Sequence, residues 1–187
     1  MNVLFYDIFD SPIGSLTVAA DDAGRLHHVL FPHNRHPPHG RKHWRHDPGP
    51  VAEARCQLLD YLHGERSVFT LPLAPVGTVF QVQVWTTLAQ IPYGQTWSYA
   101  QLARHVGRPA ATRAVGAANG RNPLPIVLPC HRVIGSNGTL TGFGGGLPTK
   151  QALLRLEGAA CVTDARKASL FGEPCDTSKV LGVIERI

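Results

Sequence analysis

The sequence predicts two domains of different class: an α/β N-terminal domain with a small sheet and a helix, and a mainly α C-terminal domain with a helix-turn-helix-like motif. Strand-like segments with turn signals fill the first third, helical spacing of apolar residues marks the second half, and prolines and a glycine separate them. A chain of 187 residues has room for two small domains. We place the domains at 1–76 and 78–158, and treat 159–187 as an extension of unknown role.

The first third has the pattern of a small sheet with one helix. Three segments are strand-like, at 3–9, 15–20 and 26–31. Pro32 should end the third strand because proline cannot donate to a β-ladder. Apolar residues then recur on one face of a predicted helix over 51–62, and a further short strand is expected at 68–71.

Histidines are concentrated in one stretch that runs from the third strand toward the first helix. Seven of the ten are His27, His28, His33, His36, His39, His43 and His46. Metal ligands need a fixed geometry, whereas the prolines and Gly40 of segment 32–50 favour an irregular loop. A zinc site is therefore the less favoured alternative, and we expect a solvated basic loop without metal.

The second half begins with a helical pattern over 78–89. Ser98 and Gln101 then form a capping-box signature, with Ser98 as N-cap residue and Gln101 at position N3, so a helix is expected to follow. A turn at 107–109 separates it from a second predicted helix over 110–119. Two short helices joined by a tight turn are the pattern of the helix-turn-helix, a DNA-binding motif.

The second of these helices is unusual for a helix that reads bases. Arg113 is its one long side chain, and residues such as Ala114 and Gly116 are small. Small residues let a helix approach another surface closely, either the protein core or the narrow minor groove of DNA. In the second case Arg113 could fill the gap left when a base leaves the stack.

The charge distribution favours an anionic partner. The chain has a net charge of +5 and a pI of about 9.3. Between positions 99 and 158 the single acid is Glu157. The basic residues there are Arg104, Arg108, Arg113, Arg121, Arg132, Lys150 and Arg155. Such a polarised half predicts a surface that faces phosphates.

Composition also bears on the compartment. No apolar run is long enough to span a bilayer, and the first residues lack the features of a signal peptide. The four cysteines, Cys56, Cys130, Cys161 and Cys175, are spaced too unevenly for a disulfide framework or a CxxC metal knuckle. We therefore expect free thiols in a reducing cytoplasm.

A cysteine directly before a histidine is the strongest candidate for chemistry. Cys130 and His131 lie in Pro129-Cys130-His131-Arg132-Val133, behind the apolar run at 125–128. A thiol becomes a good nucleophile as its thiolate, and a neighbouring imidazole is a standard way to produce one. The pair therefore predicts a nucleophilic cysteine.

With its flanking residues, this motif resembles the signature of the O6-alkylguanine-DNA alkyltransferases (methylated-DNA–protein-cysteine methyltransferases). The resemblance covers 80–158 and includes Ser98-Tyr99, Arg113-Ala114-Val115-Gly116, Asn122-Pro123 and Gly145-Gly146-Leu147. The N-terminal third fits the family's variable domain in outline. The resemblance implies DNA repair by direct reversal, in which Cys130 takes the alkyl group from O6 of a guanine flipped out of the duplex from the minor groove.

The resemblance also implies the catalytic roles. His131 would act as a base through water, Glu157 would orient and polarise His131, and Tyr99 would donate to N3 of the departing guanine. From composition alone, Tyr99 could instead be an ordinary core residue. Glu157 ends a predicted helix with Pro148 at N1 and Gly158 at C′, where an exposed acid opposes the helix dipole, so a buried partner is expected.

The roles in binding follow from the same resemblance. Arg113 would replace the flipped nucleotide, Ala114 and Gly116 would lie against the DNA, and Asn122 would brace the turn to the active-site strand. The substrate pocket would be formed by Pro125, Val133, Phe143 and Gly144. The carbonyls of Cys130 and Val133 would accept from the guanine amino group, and the Gly144 N–H would face O6. At position 143 the resemblance leads us to expect tyrosine or another aromatic residue, and Phe143 keeps the ring but offers no hydroxyl.

A thioether on Cys130 has no obvious leaving route, so one turnover per molecule is expected, with no metal and no diffusible cofactor. The expected partner is double-stranded DNA carrying O6-alkylguanine, bound by a monomer. One alternative is a protein that binds alkylated DNA without transfer, which the presence of Cys130 disfavours. The other is a cysteine hydrolase, which would need an oxyanion hole and would leave Arg113 unexplained.

Overall fold

The computed structural model describes residues 3–33 and 37–159. Predictions that concern His36, Cys161, Cys175 and the extension from residue 160 lie outside the described residues. None of the helices in the described part of the chain has the length and apolar character needed to cross a membrane.

A four-stranded sheet forms the N-terminal part, in the order β3-β2-β1-β4. The three predicted strands form as β1 (Phe5–Phe9), β2 (Leu16–Ala20) and β3 (Leu26–Leu30), and they pair antiparallel. Strand β2 is central and buried along its whole length, which suits its apolar and small residues. Strand β3 ends two residues before Pro32, where the ladder was expected to stop.

The histidine-rich segment is more ordered than the predicted solvated loop. It contains a short 3-10 helix (Arg41–His43) and a two-residue strand, β4 (Arg45–His46), which pairs parallel with β1. The ring of Trp44 stacks on His28, with 5.2 Å between centroids. Such aromatic contacts hold the segment on the sheet, and composition does not reveal them. Among the described residues, no group of three or more possible ligands is placed to hold a metal.

Helix α1 (Ala52–Leu62) forms as predicted, and its buried face includes Tyr61. The prediction of a strand at 68–71 was wrong, because within the described residues only a single parallel bridge joins Leu73 to Leu26. Pro72 has no N–H to donate, so the ladder cannot extend on its side of the bridge.

Three helices make up the centre of the C-terminal part: α2 (Val79–Leu88), α3 (Tyr99–His105) and α4 (Thr112–Asn119). The capping box of Ser98 and Gln101 at the start of α3 is confirmed. Helix α4 starts two residues later than predicted because a 3-10 helix (Pro109–Ala111) precedes it. Gly107 has a φ of 74°, which allows the turn between α3 and α4 that makes them a helix-turn-helix pair.

The nucleophile candidate lies on a turn and not on the expected strand. Cys130–Arg132 form a 3-10 helix, followed by strand β6 (Val133–Ile134). Strand β6 pairs parallel with β5 (Trp97–Ser98), which immediately precedes α3. This pairing brings the start of α3 next to the cysteine turn.

The last described helix is α5 (Gly146–Leu156). It begins two residues before Pro148, so the prediction of Pro148 at N1 was wrong. Proline is tolerated at the third helical position because the first N–H groups of a helix have no intrahelical partner. Gly158 follows the helix with a φ of 66°, as its predicted position at C′ requires.

The two predicted domains share one hydrophobic core. The backbone N–H of Val29 in β3 donates to the carbonyl of Pro123 at 2.9 Å. The ring of Phe31 meets Phe143 edge to face, with 5.4 Å between centroids. The N-terminal sheet therefore lies directly against the segments that carry the candidate site.

Candidate active site

A strained turn leads from helix α4 to Cys130. Ile126 is fully buried and has a φ of 76°, which is unfavourable for a β-branched residue. The side-chain amide of Asn122 donates to the carbonyl of Leu128 at 2.7 Å, and its oxygen accepts from the N–H of Leu124 at 3.0 Å. Asn122 thus joins both ends of the turn that contains the strained residue.

Cys130 is 5% exposed and lines a cavity of about 490 Å³. Asn122, Pro125 and Gly144 line the same cavity. Its volume is in the range of small-molecule sites. Burial raises the pKa of the thiol, and this outweighs a hydrogen bond from Asn122 and the nearby charge of Lys150. The resting group is therefore a thiol that needs a base.

That base candidate is His131, which is fully buried beside Glu157. His131 Nε2 lies 2.6 Å from Glu157 Oε1. An ionised carboxylate can only accept, so Nε2 carries the hydrogen and Nδ1 has the free lone pair. Nδ1 is buried and has no hydrogen-bond partner among the described residues. The imidazole is therefore oriented with its basic nitrogen unoccupied by protein groups of the described chain.

The ionisation of this pair is set by its surroundings. Burial acts to raise the pKa of Glu157, but hydrogen bonds from His131, Arg132 and Tyr61 lower it to about 2. Burial lowers the pKa of His131, which outweighs the opposite effect of Glu157. At neutral pH the pair is a carboxylate and a neutral imidazole, the combination that can take a proton from a thiol.

Two further polar groups face the cysteine. Tyr99 is half-buried, and its hydroxyl accepts from Thr141 Oγ1 at 3.3 Å. Burial raises the pKa of Tyr99, so its hydroxyl keeps its proton. Lys150 is fully buried, and its ammonium donates to the carbonyls of Val133 and Thr141 at 2.5 and 2.8 Å. Burial lowers the pKa of Lys150 to about 8 against the opposing effect of Cys130.

The structure places three of the four predicted pocket residues, Pro125, Phe143 and Gly144, around two neighbouring cavities. Phe143 and Gly144 line a cavity of about 240 Å³ together with Tyr99 and Gly116. Pro125 is buried and faces the cavity that contains Cys130. The carbonyl of Val133 already accepts from Lys150, so a guanine amino group would have to use the second lone pair of that oxygen.

Helix α4 exposes the residues predicted to meet DNA. Arg113 and Ala114 are exposed and Gly116 is half-buried, whereas Val115 and Ala118 face the core. The small residues thus lie on both faces of the helix. An open face with one long side chain is what close approach to a groove requires.

The basic half contains two classes of residue that charge counting did not separate. Five arginines are exposed, namely Arg104, Arg108, Arg113, Arg121 and Arg155. Arg132 and Lys150 are buried, so they do not belong to the predicted phosphate-facing surface. Glu157, the single acid of this stretch, is also buried and accepts from Arg132 Nε at 2.9 Å. The exposed charge of residues 99–158 is therefore entirely positive.

Sequence reasoning gave no site role to Tyr61, Arg132 or Lys150. A signal for Lys150 was present, because it occupies the apolar face of α5 with Leu153 and Leu154. Tyr61 likewise lies on the buried face of α1, where a phenol hydroxyl needs a partner. The identity of each partner depends on residues far away in the chain.

Comparison with known proteins finds one family along nearly the whole described chain. Residues 4–75 match the 6-O-methylguanine DNA methyltransferase ribonuclease-like domain, and residues 79–159 match the DNA binding domain of the same name. A methylated-DNA–protein-cysteine methyltransferase from Methanosarcina acetivorans is 46% identical over 156 residues, which cover 83% of this chain and 99% of that relative.

Solved structures of a Mycobacterium tuberculosis relative are also similar. The crystal structure of Mycobacterium tuberculosis OGT in complex with DNA has a TM-score of 0.77 and 47% identity, covering 82% of this chain and 92% of that chain. A structure of the O6-methylguanine methyltransferase from the same organism has a TM-score of 0.76 and 46% identity, over 83% and 93% of the two chains. The present chain belongs to the methylated-DNA–protein-cysteine methyltransferase family.

Proposed function

We propose that this protein repairs DNA by transferring the alkyl group of O6-alkylguanine to its own Cys130. The observation that carries the proposal is a cysteine at the wall of a cavity, directly before a buried histidine held by a carboxylate. The relatives named above are methyltransferases of this kind, and one of them is seen with DNA. The proposed substrate is double-stranded DNA, bound by one copy of the chain.

In the proposed reaction His131 Nδ1 takes the thiol proton through a water molecule, and Glu157 stabilises the resulting imidazolium. The Cys130 sulfur attacks the alkyl carbon in line, forming a C–S bond while the bond to O6 breaks. The electron pair of that bond passes to the guanine ring. Lys150 supports the transient thiolate, since its charge acts to lower the pKa of Cys130.

The departing guanine needs a proton donor, and Tyr99 is the proposed one. Its protonated hydroxyl lies at the start of α3 beside the cavity lined by Gly116 and Phe143. Donation to N3 of guanine offsets the negative charge that develops as the bond to O6 breaks. In the proposed pocket the N–H of Gly144 faces O6, and the carbonyls of Cys130 and Val133 accept from the amino group.

DNA would be bound through the exposed face of α4, with Arg113 in the space of the flipped nucleotide and Ala114 and Gly116 near the groove. In this scheme residues 78–158 form the DNA-binding alkyltransferase domain and residues 1–76 support it. We place the reaction in the cytoplasm, where reducing conditions keep a catalytic thiol free.

Intact-mass measurement after mixing with O6-methylguanine duplex DNA tests this function. The protein should gain the mass of one methyl group, and peptide mapping should place it on Cys130. An excess of DNA of about ten equivalents should still give one methyl per chain, because the methyl group cannot leave the thioether and free the sulfur again.

The matched controls are two cysteine variants. Cys130→Ser should bind the duplex and gain no methyl group, whereas Cys56→Ser, at an exposed cysteine, should react like the wild type. Many turnovers per chain, or methylation at a residue other than Cys130, would contradict the proposal. Hydrolysis of a thioester substrate in place of methyl transfer would instead favour a cysteine hydrolase.

A further inference from the structure

The carboxylate of Glu157 has more donors than orientation of His131 requires. Its side chain is fully buried. In addition to the hydrogen bond from His131, the carboxylate accepts from Arg132 Nε at 2.9 Å and from the N–H of Gly94 at 3.0 Å. The fourth donor is the hydroxyl of Tyr61, which bonds to Glu157 Oε1, the same oxygen that accepts from His131.

Tyr61 differs from the other donors in its origin. Gly94, His131 and Arg132 belong to the C-terminal part, whereas Tyr61 comes from α1 beside the N-terminal sheet. Its hydroxyl oxygen is 3.3 Å from His131 Nε2, so it contacts both members of the proposed base pair. One hydroxyl of the N-terminal part thereby enters the proton-accepting machinery.

The ring of Tyr61 is fixed by its neighbours. Tyr61 is fully buried, and it packs on Phe69 and edge to face on Tyr93, with 5.1 and 6.1 Å between centroids. Burial and the adjacent carboxylate raise the pKa of Tyr61, so the hydroxyl remains a donor throughout the working range. A fixed, protonated donor on a carboxylate reduces the charge that the carboxylate offers to its other partners.

We propose that Tyr61 is a positioning residue for the transfer reaction, whose hydroxyl holds Glu157 Oε1 in place and limits how strongly that carboxylate binds the proton on His131. The inference rests on the proposed function, because it concerns the base of that reaction. In this proposal a residue of α1 lowers the basicity of His131 through Glu157 without contacting the DNA.

Loss of the hydroxyl should make His131 a stronger base that is protonated at higher pH. The remaining groups that face the pair would be unchanged. They are Cys130, Arg132 and Lys150, with Tyr93 and the N–H of Gly94 on the carboxylate side. Because a protonated His131 cannot take the thiol proton, the acid limb of the pH–rate profile should move to higher pH.

The test is the single-turnover rate of methyl transfer from O6-methylguanine duplex DNA, measured against pH. Tyr61→Phe should move the acid limb upward by roughly 0.5–1 pH unit, with rates near those of the wild type on the alkaline side. Tyr6→Phe is the control, since the ring of Tyr6 in β1 packs on Trp44 and His46 and makes no contact with Glu157. That variant should leave the limb in place.

A second protein keeps the test valid if Tyr61→Phe folds poorly. Site-specific 3-fluorotyrosine at position 61 keeps the ring and makes the hydroxyl a stronger donor, so the acid limb should move to lower pH. Opposite shifts in the two proteins support the proposal. An unmoved limb in a folded Tyr61→Phe protein, or an unmoved limb with fluorotyrosine, overturns it, as does a loss of rate that is equal at all pH values.

The outcome can be separated from failure of the proposed function. If the wild type transferred no methyl group, the function would be wrong. The pH dependence of Cys130 alkylation by iodoacetamide, followed by peptide mapping, would then still measure whether Tyr61 affects the base. The same upward shift in Tyr61→Phe would support the proposal, and an unchanged profile would overturn it.

Discussion

Glu157 shows how one residue depends on its donors. A buried carboxylate without partners would be strongly destabilising. Here His131, Arg132, Tyr61 and the N–H of Gly94 all point at it, and its pKa falls to about 2 although burial acts to raise it. The folded state therefore binds a proton at Glu157 much more weakly than an unfolded chain does.

The first prediction concerns acid stability. Because the folded pKa of Glu157 is below its unfolded value of 4.5, its contribution is present above pH 4.5 and is lost as the pH falls toward 2. The loss should amount to roughly 3 kcal/mol in the free energy of unfolding. Denaturant unfolding between pH 6 and pH 2 should show a shallower loss in Glu157→Gln than in the wild type.

The control for this experiment is Glu65→Gln, at an exposed position. It should keep the pH dependence of the wild type. Asp21 contributes to the same window in all three proteins, because burial acts to raise its pKa but hydrogen bonds from Arg25 and His27 lower it to about 2. Equal slopes for the wild type and Glu157→Gln would show that the carboxylate network does not contribute to acid stability.

At the scale of the element, α4 combines an anchored face with an open face. Val115 and Ala118 are buried, and Trp85 Nε1 donates to the Ala118 carbonyl at 2.8 Å. The opposite face has Arg113 as its long exposed side chain beside exposed alanines at 114 and 117. A rigid helix with one projecting arginine suits a role in holding an extruded base out of the stack.

The prediction for α4 is that Arg113→Ala slows transfer from duplex DNA. If the arginine offsets about 1–3 kcal/mol of the cost of unstacking, the rate should fall by roughly 5- to 150-fold. Transfer from single-stranded O6-methylguanine DNA should change much less, because that base needs no extrusion from a duplex. Single-turnover rates on the two substrates measure the difference.

Lys42→Ala removes the same charge from an exposed position outside α4 and serves as the control. It should leave both rates close to those of the wild type. An equal decrease on single-stranded and duplex DNA in Arg113→Ala would argue for a contribution to general binding and against a role in base extrusion.

At the scale of the whole molecule, the charge is divided between surface and interior. The chain has a net charge of +5. Because Glu157 is buried, the surface of residues 99–158 has exposed arginines and no exposed acid. Arg132 and Lys150 donate internal hydrogen bonds, to Glu157 and to the Val133 carbonyl. Within residues 99–158, electrostatic attraction to phosphates should therefore come from the five exposed arginines.

This division predicts how binding depends on salt. The logarithm of the duplex affinity should fall linearly with the logarithm of the salt concentration, with a slope set by the number of phosphates neutralised. Replacing Arg104 or Arg108 by alanine should reduce that slope by about one for each arginine that contacts a phosphate. Fluorescence anisotropy over a salt series measures it, and Arg45→Ala on β4 is the control. Unchanged slopes in Arg104→Ala and Arg108→Ala would indicate that DNA binds to another surface of the protein.

Local signals in the sequence were sufficient for much of the fold. Ser98 and Gln101 specify the start of α3 through a contact three residues apart. The strands of the small sheet and the face of α1 follow from short-range periodicity. The motif around Cys130 indicated the candidate nucleophile because its neighbours in the chain carry the resemblance. The strand expected at 68–71 was wrong because Pro72 prevents a longer ladder. The histidine-rich segment is mostly exposed, as predicted, but aromatic contacts with distant residues give it a short 3-10 helix and strand that composition does not reveal.

The sequence by itself indicated the candidate nucleophile and determined the helix-turn-helix pair and the family of this protein, since all three are encoded in residues close together along the chain. Tertiary structure alone decided which charged and polar groups are buried and which groups they hydrogen-bond. Tyr61 and Glu157 are 96 positions apart, yet they share a hydrogen bond. The physical reason is that burial and pKa depend on the groups within a few ångströms in space, which periodicity and spacing do not specify.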